Sequence, residues 1–239
     1  GFIGVNYLWS RFENTGAFVW PIDVTKTNEN VLIMGQNPLS EEELRRGLQG
    51  YKSETMDRDA LTLDVDTFWE EEEKMLGKFP EIFQKEGCIP ERKHLKCLTK
   101  WKWPGLWANH AKENTLDHLR TVTSEAFQMT AGDERPEPED VRNQLGHLDD
   151  ELTGVSAATG TVLLTFWRPD VYTVMDVRAI STLEFAGLWT GNSRATISEY
   201  PQYLKQCHSI AEDTKLSLRD TDRAIWYLGG EYSDGSSLH

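Results

Sequence analysis

A glycine-containing turn and a single aspartate farther along the chain have the residue types and spacing of a site for a phosphate-linked sugar. The turn lies in the segment 152–160 between two apolar runs, and Asp176 follows 18 residues after Ala158. Gly154 would let backbone N–H groups approach a phosphate closely, because it has no side chain to obstruct them. A carboxylate one helix later would then face the sugar, where it could stabilise a developing oxocarbenium ion and orient water.

This pairing of turn and aspartate resembles the helix-hairpin-helix DNA glycosylases of the endonuclease III type. Their hairpin reads roughly Leu-Pro-Gly-Val-Gly, and an aspartate follows after an apolar helix and a short loop. The resemblance covers residues 93–228 and is sharpest over 145–185. The residues that match are Leu152, Gly154, Val155, Thr159 and, at the aspartate position, Asp176.

Several hairpin residues depart from the family pattern. Thr153 stands where proline is usual, Ser156 where a second glycine is usual, and Gly160 where alanine is usual. Ala158 occupies the position at which lyase members carry a Schiff-base lysine. The resemblance therefore implies a monofunctional DNA glycosylase, without lyase activity, because the hairpin offers no amine for a covalent intermediate.

The resemblance also implies roles for particular residues. Asp176 would be the catalytic group. The hairpin would contact a DNA phosphate through Gly154, Val155, Ser156 and Thr159. It could also hold a structural monovalent cation, and no other metal or cofactor is predicted. An extruded base needs an aromatic pocket, for which the candidates are Trp101, Trp103 and Trp107. Further phosphate contacts are predicted at Lys100, Lys102 and Arg178.

Each of these patterns also has a purely structural interpretation. Asp176 directly precedes a helix and could serve as its N-cap. The hairpin could be a tight helix–helix turn packed on Val155, and the tryptophans of segment 100–107 could pack at a domain seam. We also interpret Arg219 and Asp222 as a structural ion pair, and the acidic run at 70–73 as a solvated helix start favoured by the helix dipole.

The charge of the chain opposes DNA binding. Its 239 residues include 25 Lys and Arg against 39 Asp and Glu, a formal net charge of −14. Neutralisation of phosphates by Lys and Arg normally supplies much of the affinity for DNA. A local basic cluster on one face could still hold DNA, because net charge reports mainly long-range steering and solubility.

The rest of the composition limits the classes of protein to which the chain could belong. Nine tryptophans and 38% hydrophobic residues predict a folded chain. The three cysteines are too few and too dispersed for a disulfide framework or a four-thiolate cluster. The histidines lack metal-ligand spacing, and no apolar run approaches the length of a membrane span. We expect a cytoplasmic protein with no membrane association; the oligomeric state stays open.

The periodicity predicts a mainly α fold, a helix-hairpin-helix glycosylase-like helical domain over 81–239 preceded by a small N-terminal extension over 1–80. Residues 1–36 contain short β-branched or aromatic runs, predicted to be short strands or extended segments. Ser40 is predicted to cap a helix, with Glu43 three residues later. Farther on, helices are predicted over 115–129, 141–148, 159–167, 177–188, 199–213 and 217–228.

Three functions are compatible with these observations. The first is a monofunctional DNA glycosylase of base-excision repair, acting on a damaged or mismatched base. The second is a non-catalytic helix-hairpin-helix module that binds DNA or a protein partner. In the third, the N-terminal segment carries the function and the helical domain recognises a partner, although residues 1–80 contain no catalytic constellation.

Overall fold

A computed structural model describes residues 39–54, 63–103 and 105–233, and these residues form helices joined by short turns. Two short 3₁₀ turns lie at Leu106–Ala108 and Ala111–Glu113. The predicted strands at residues 1–36 lie outside the described residues. The α-helices are α1 (Glu41–Ser53), α2 (Phe68–Leu76), α3 (Phe79–Glu86), α4 (Arg92–Lys102), α5 (Leu116–Met129), α6 (Pro138–Glu151), α7 (Ala157–Trp167), α8 (Val177–Phe185), α9 (Tyr200–Thr214) and α10 (Leu218–Ser233).

The prediction of a mainly α fold is confirmed, since no strand occurs in the part of the chain that the structure describes. None of the described helices is both long and apolar enough to cross a membrane. Ser40 caps α1 as predicted, with its Oγ accepting a hydrogen bond from the Glu43 N–H at 3.3 Å.

Helix α7, the second helix of the hairpin, lies at the centre of the core. Every residue from Thr159 to Trp167 is buried. A helix that is apolar all round must be covered on all sides, and α3, α4 and α6 pack against α7. At one end of α7, the Trp167 indole stacks on Phe127 of α5 with ring centroids 4.3 Å apart. The hairpin is therefore anchored on the most buried helix of the described fold.

Helices α1 and α2, which lie within the predicted N-terminal extension, pack against each other, and α1 also packs against the C-terminal helix α10. The described residues all belong to one compact unit. The prediction that the acidic run 70–73 is a solvated helix start is correct for Glu70 and Glu73, which are exposed, and wrong for Glu71 and Glu72, which are fully buried. Glu72 is paired with the buried Arg219 and Arg223 of α10, which the sequence pattern did not connect with α2, and Glu71 accepts a hydrogen bond from the Leu63 N–H at 3.0 Å.

Helices α8 and α10 approach so closely that only glycine fits between them at Gly229. A Cβ atom at this position would lie 1.9 Å from the Arg178 carbonyl oxygen. We expect Gly229→Ala to destabilise the fold by about 1–3 kcal/mol, because backbone must shift to admit the methyl group. Gly230→Ala is the matched control, since its Cβ would meet only the flexible Arg178 guanidinium at 3.4 Å. Chemical denaturation of both variants tests this, and equal stability of the two would contradict it.

Candidate active site

Asp176 lies at the N-terminus of α8 and forms its N-cap. Its Oδ1 accepts a hydrogen bond from the Arg178 N–H at 2.9 Å. The other carboxylate oxygen, Oδ2, forms an ion pair with the Nζ of Lys102, at the last residue of α4. The two side chains are 17% and 14% exposed, respectively. Asp176 is thus the N-cap of α8 through its Oδ1, as the structural interpretation of the sequence predicts. Its Oδ2 contacts the Lys102 ammonium and not the helix.

Asp176 is held in its ionised form. Burial by itself would raise the pKa of this carboxyl, but the charge and hydrogen bond of Lys102, with the N–H of Arg178, outweigh burial and place its pKa below the ordinary value. The result is a fixed negative charge in a partly desolvated setting. Such a charge interacts more strongly with a developing cation than the same carboxylate would in water.

A cavity of about 50 Å³ adjoins this ion pair. Its aromatic walls are Tyr51, Phe68, Trp101 and Trp226, and its charged lining is Lys102, Asp176, Arg219 and Asp222. The volume is enough for a few water molecules and is smaller than the pockets of about 300–1,000 Å³ that usually enclose small ligands. A larger group therefore enters only if side chains at the rim move.

Trp101 forms one wall of this cavity, whereas the other two candidate tryptophans lie apart. The Trp101 ring stacks on Phe68 with centroids 5.2 Å apart and is 5% exposed. Among the described residues, its buried Nε1–H has no hydrogen-bond partner. Trp103 is 62% exposed, and half-buried Trp107 lies against the Arg92 guanidinium. The structure thus brings only Trp101, of the three, to the Asp176 site.

The three cationic candidates occupy different positions. Lys102 contacts Asp176 directly, and Lys100, two residues earlier on α4, is half-buried. Arg178 is exposed, with its guanidinium 4.4 Å from the centre of the Trp226 ring at the cavity wall. Sequence reasoning missed the cavity-lining role of Trp226, Arg219 and Asp222, since they lie on α10 more than 40 residues after Asp176 and no spacing rule connects them.

The hairpin connects α6 to α7 through a turn in which Gly154 has a φ of +76°, a conformation that favours glycine. A Cβ atom there would lie 2.7 Å from the Ala111 nitrogen, so the close approach that this glycine permits is to the backbone of the chain itself. Val155 is buried, and its N–H donates to the Leu152 carbonyl at 3.0 Å. Ser156 is exposed and precedes α7, whereas the Thr159 side chain is buried.

The backbone of Thr153 in the hairpin is held by the side chain of Asn114. The Thr153 N–H donates to the Oδ1 of buried Asn114 at 3.0 Å, and the Asn114 Nδ2 donates to the Thr153 carbonyl at 2.9 Å. Proline has no N–H and could not make the first of these bonds. Asn114 also donates to the Ala111 carbonyl at 3.0 Å. One amide side chain thus joins the hairpin to the 3₁₀ turn before α5.

We expect Asn114→Ala to destabilise the protein by about 2–3 kcal/mol, since it removes three hydrogen bonds made by a buried side chain, one of them fully buried. Exposed Asn109, in the same loop, provides the matched control, and its replacement by alanine should change stability by less than about 0.5 kcal/mol. Thermal unfolding of the two variants checks the difference. A wild-type melting temperature in Asn114→Ala would show that the hairpin does not depend on this amide.

The N-terminus of α7 already has a carboxylate. The Ala157 N–H donates to Asp149 near the end of α6, and burial together with the charge of Asp150 raises the pKa of Asp149. Glu151 is a third acidic residue beside the hairpin. A phosphate at this helix end would therefore compete with a resident anion.

No group of three or more metal-ligating side chains occurs in the described ranges, and Cys88, Cys97 and Cys207 are free thiols. Comparison of this chain with family models, curated proteins and solved structures found no match.

Proposed function

We propose that this protein is a DNA N-glycosylase that releases a damaged or mismatched base, with Asp176 as the catalytic group. The observation that carries the proposal is the environment of Asp176: an ionised, 17% exposed carboxylate beside an aromatic-walled cavity, one short loop after α7. Cleavage of an N-glycosidic bond develops positive charge on the sugar, and this carboxylate supplies a fixed opposite charge.

The aromatic wall gives a reason for a base as the leaving group. Trp101, Phe68 and Trp226 present ring faces and edges around the cavity, and planar bases stack on such surfaces. The buried Trp101 N–H, which lacks a partner in the described structure, could donate to a base carbonyl or ring nitrogen. Because the cavity is small, the base requires movement of half-buried Lys102 and Trp226 at its rim.

The test is base release from a panel of duplexes with damaged or mismatched bases, with abasic sites read out by alkaline cleavage. Release from any duplex would support the proposal and identify the substrate. Absence of release from every duplex, together with salt-dependent binding, would instead support a non-catalytic module. Absence of both release and binding would exclude DNA as the partner under those conditions.

The second candidate, a non-catalytic helix-hairpin-helix module for DNA or for a protein partner, has its own supporting observation. Asp149 occupies the N-terminus of α7, and Val155 uses its N–H within the hairpin. The N–H groups of Ala157 and Val155 therefore have hydrogen-bond partners within the chain and do not require a phosphate. Replacement of Asp149 by Asn tests whether the hairpin contacts phosphate, because it should strengthen DNA binding if it does and should leave binding unchanged otherwise. Base release, measured as above, separates the two functions.

A further inference from the structure

A cleft of about 530 Å³ is lined by residues of α2, α3 and α4, and the proposed function does not use it. Its volume lies within the range of about 300–1,000 Å³ that small-molecule sites usually have. None of its described lining residues belongs to the cavity beside Asp176. The cleft is therefore a second candidate site, with a chemistry of its own.

One side of the cleft is an apolar wall formed by Met75, Phe79 and Ile82, which runs from the last turn of α2 into α3. Met75 and Phe79 are buried, and Ile82 is half-buried. The first two belong to the hydrophobic core and the third packs against it, so the fold holds the wall in place. An alkyl or aryl group that enters the cleft would leave water for this wall, and such a transfer is favourable.

Three exposed lysines, Lys74, Lys78 and Lys93, give the cleft a local excess of positive charge. Asp64 supplies the one carboxylate of the described lining, and its carbonyl oxygen accepts a hydrogen bond from the Lys74 Nζ at 3.0 Å. Lys93 pairs with the exposed Glu91 at 2.8 Å, whereas the Lys78 side chain has no partner within the described ranges. In a chain with a net charge of −14, this surface attracts an anion rather than a cation.

A buried histidine in the lining lacks a hydrogen-bond partner. His94 is 5% exposed, and its ring packs against Phe79 and Phe83 with centroids 5.0 and 5.6 Å away. Its Nδ1 is buried and has no partner among the residues that the structure describes. Burial lowers the pKa of this imidazole, so at neutral pH the ring carries one N–H donor and one acceptor nitrogen. Buried polar atoms normally have partners, and an oxygen atom of a ligand in the cleft would supply one for the ring.

We propose that this cleft binds a small amphipathic anion, a molecule with an alkyl or aryl body and a single anionic group. The body packs against the apolar wall of α2 and α3. The anionic group lies among the three lysines, where the unpaired Lys78 ammonium is its most direct partner. The inference is independent of the proposed glycosylase, because the cleft and the cavity beside Asp176 have different linings.

The test uses decanoate as the probe and alkylation of Cys97 by N-ethylmaleimide as the readout, with the full chain analysed by peptide mass spectrometry. Cys97 is a half-buried free thiol in the lining, and Cys88, equally half-buried but outside the lining, is the internal control. At a decanoate concentration about ten times its Kd, alkylation of Cys97 should slow about tenfold by mass action, and that of Cys88 should not change. Decanol and decyltrimethylammonium, which have the same alkyl chain without the negative charge, should bind about fivefold more weakly or less.

Two charge reversals on the protein provide the matched comparison, with Kd for decanoate measured by calorimetry. Lys85 is an exposed lysine of α3 outside the cleft. Lys78→Glu should still fold, because it places a negative charge at the start of α3, where the helix dipole favours one. We expect Lys78→Glu to raise the Kd about fivefold and Lys85→Glu to raise it less than about twofold, since only the first turns a direct attraction into a repulsion.

Each of the other outcomes would overturn the proposal. Equal binding of decanol or decyltrimethylammonium would show that the cleft does not select an anion. Equal protection of Cys97 and Cys88 would show general adsorption of the alkyl chain, and absence of both protection and heat of binding would remove the site. Equal Kd values for Lys78→Glu and Lys85→Glu would show that the anionic group does not lie at Lys78.

Discussion

Asp176→Asn is expected to lower base release by about 10²–10⁴-fold while leaving DNA binding equal or tighter. The substitution removes the negative charge that opposes the sugar cation and the group that orients water, contributions of roughly this size. It preserves the helix start, because asparagine caps helices about as well as aspartate and its side-chain oxygen can accept from the Arg178 N–H as Oδ1 does. The loss would therefore report chemistry rather than unfolding.

The measurement is single-turnover base release on the most active duplex, with binding measured in parallel. Asp170→Asn is the control, an exposed aspartate in the loop between α7 and Asp176, and it should retain wild-type rates. Base release by Asp176→Asn at the wild-type rate would remove Asp176 from the mechanism.

The pH dependence of base release should follow from the ionisation of Asp176. Its pKa lies below the ordinary value of 3.8 because of Lys102 and the Arg178 N–H, despite burial. The active, ionised form is therefore fully present at neutral and mildly acidic pH, and it is lost only as the pH falls through the lowered pKa. A loss of activity centred near pH 6 would show that another group controls the reaction.

A large effect on stability is expected from Glu72→Gln. Glu72 is fully buried, accepts hydrogen bonds from Tyr51, Arg219 and Arg223, and forms ion pairs with both arginines. Removal of its charge takes the shared counter-ion from two arginines, 8% and 4% exposed. Arg219 keeps its ion pair with Asp222, and Arg223 keeps those with Asp220 and Glu73. Breaking a buried ion pair on one side costs about 3–5 kcal/mol where the remaining charge has no other partner, so these pairs should bring the loss to about 2–3 kcal/mol.

Glu73→Gln is the matched control, because Glu73 pairs with the same Arg223 but is 48% exposed. Pairs with an exposed partner contribute about 0–1 kcal/mol, so this variant should be nearly as stable as wild type. Urea unfolding of the three proteins measures the difference. Equal urea midpoints for Glu72→Gln and Glu73→Gln would show that burial does not determine how much each carboxylate contributes to the free energy of unfolding.

The Glu72 network also predicts how stability depends on pH. Burial opposes ionisation of Glu72, but Arg219 and Arg223 outweigh it and place its pKa below the ordinary value of 4.5. A carboxyl whose pKa is lowered by folding stabilises the native state above its unfolded pKa. This contribution should be lost as the pH falls through the lowered folded pKa, and acid titration of Glu72→Gln should show a smaller loss than wild type.

The same network connects stability to the site. Asp222 accepts from the Val174 N–H at 3.1 Å and pairs with Arg219, so α10 fixes the segment that leads into Asp176. Tyr203 donates to the Val174 carbonyl at 3.1 Å from α9. The ion pair between Arg219 and Asp222 thus agrees with the structural role predicted for them. Both residues also line the cavity beside Asp176, which the sequence did not indicate.

The sequence by itself determined the helices from α5 to α10 and the caps of two helices. The apolar periodicity located α5 to α10 to within a few residues, and short-range signals located the caps at Ser40 and Asp176. These features depend on residues within one or two turns of each other, and such contacts can be recognised from spacing alone.

The tertiary structure alone decided which charges meet. Lys102 reaches Asp176 across 74 residues, and Arg219 reaches Glu72 across 147. The burial of Glu71 and Glu72, the isolation of Trp103 from the cavity and the carboxylate at the α7 N-terminus also depend on how helices pack. A side chain's environment is set by whichever distant surface covers it, and helical periodicity specifies that a face is buried without specifying its partner.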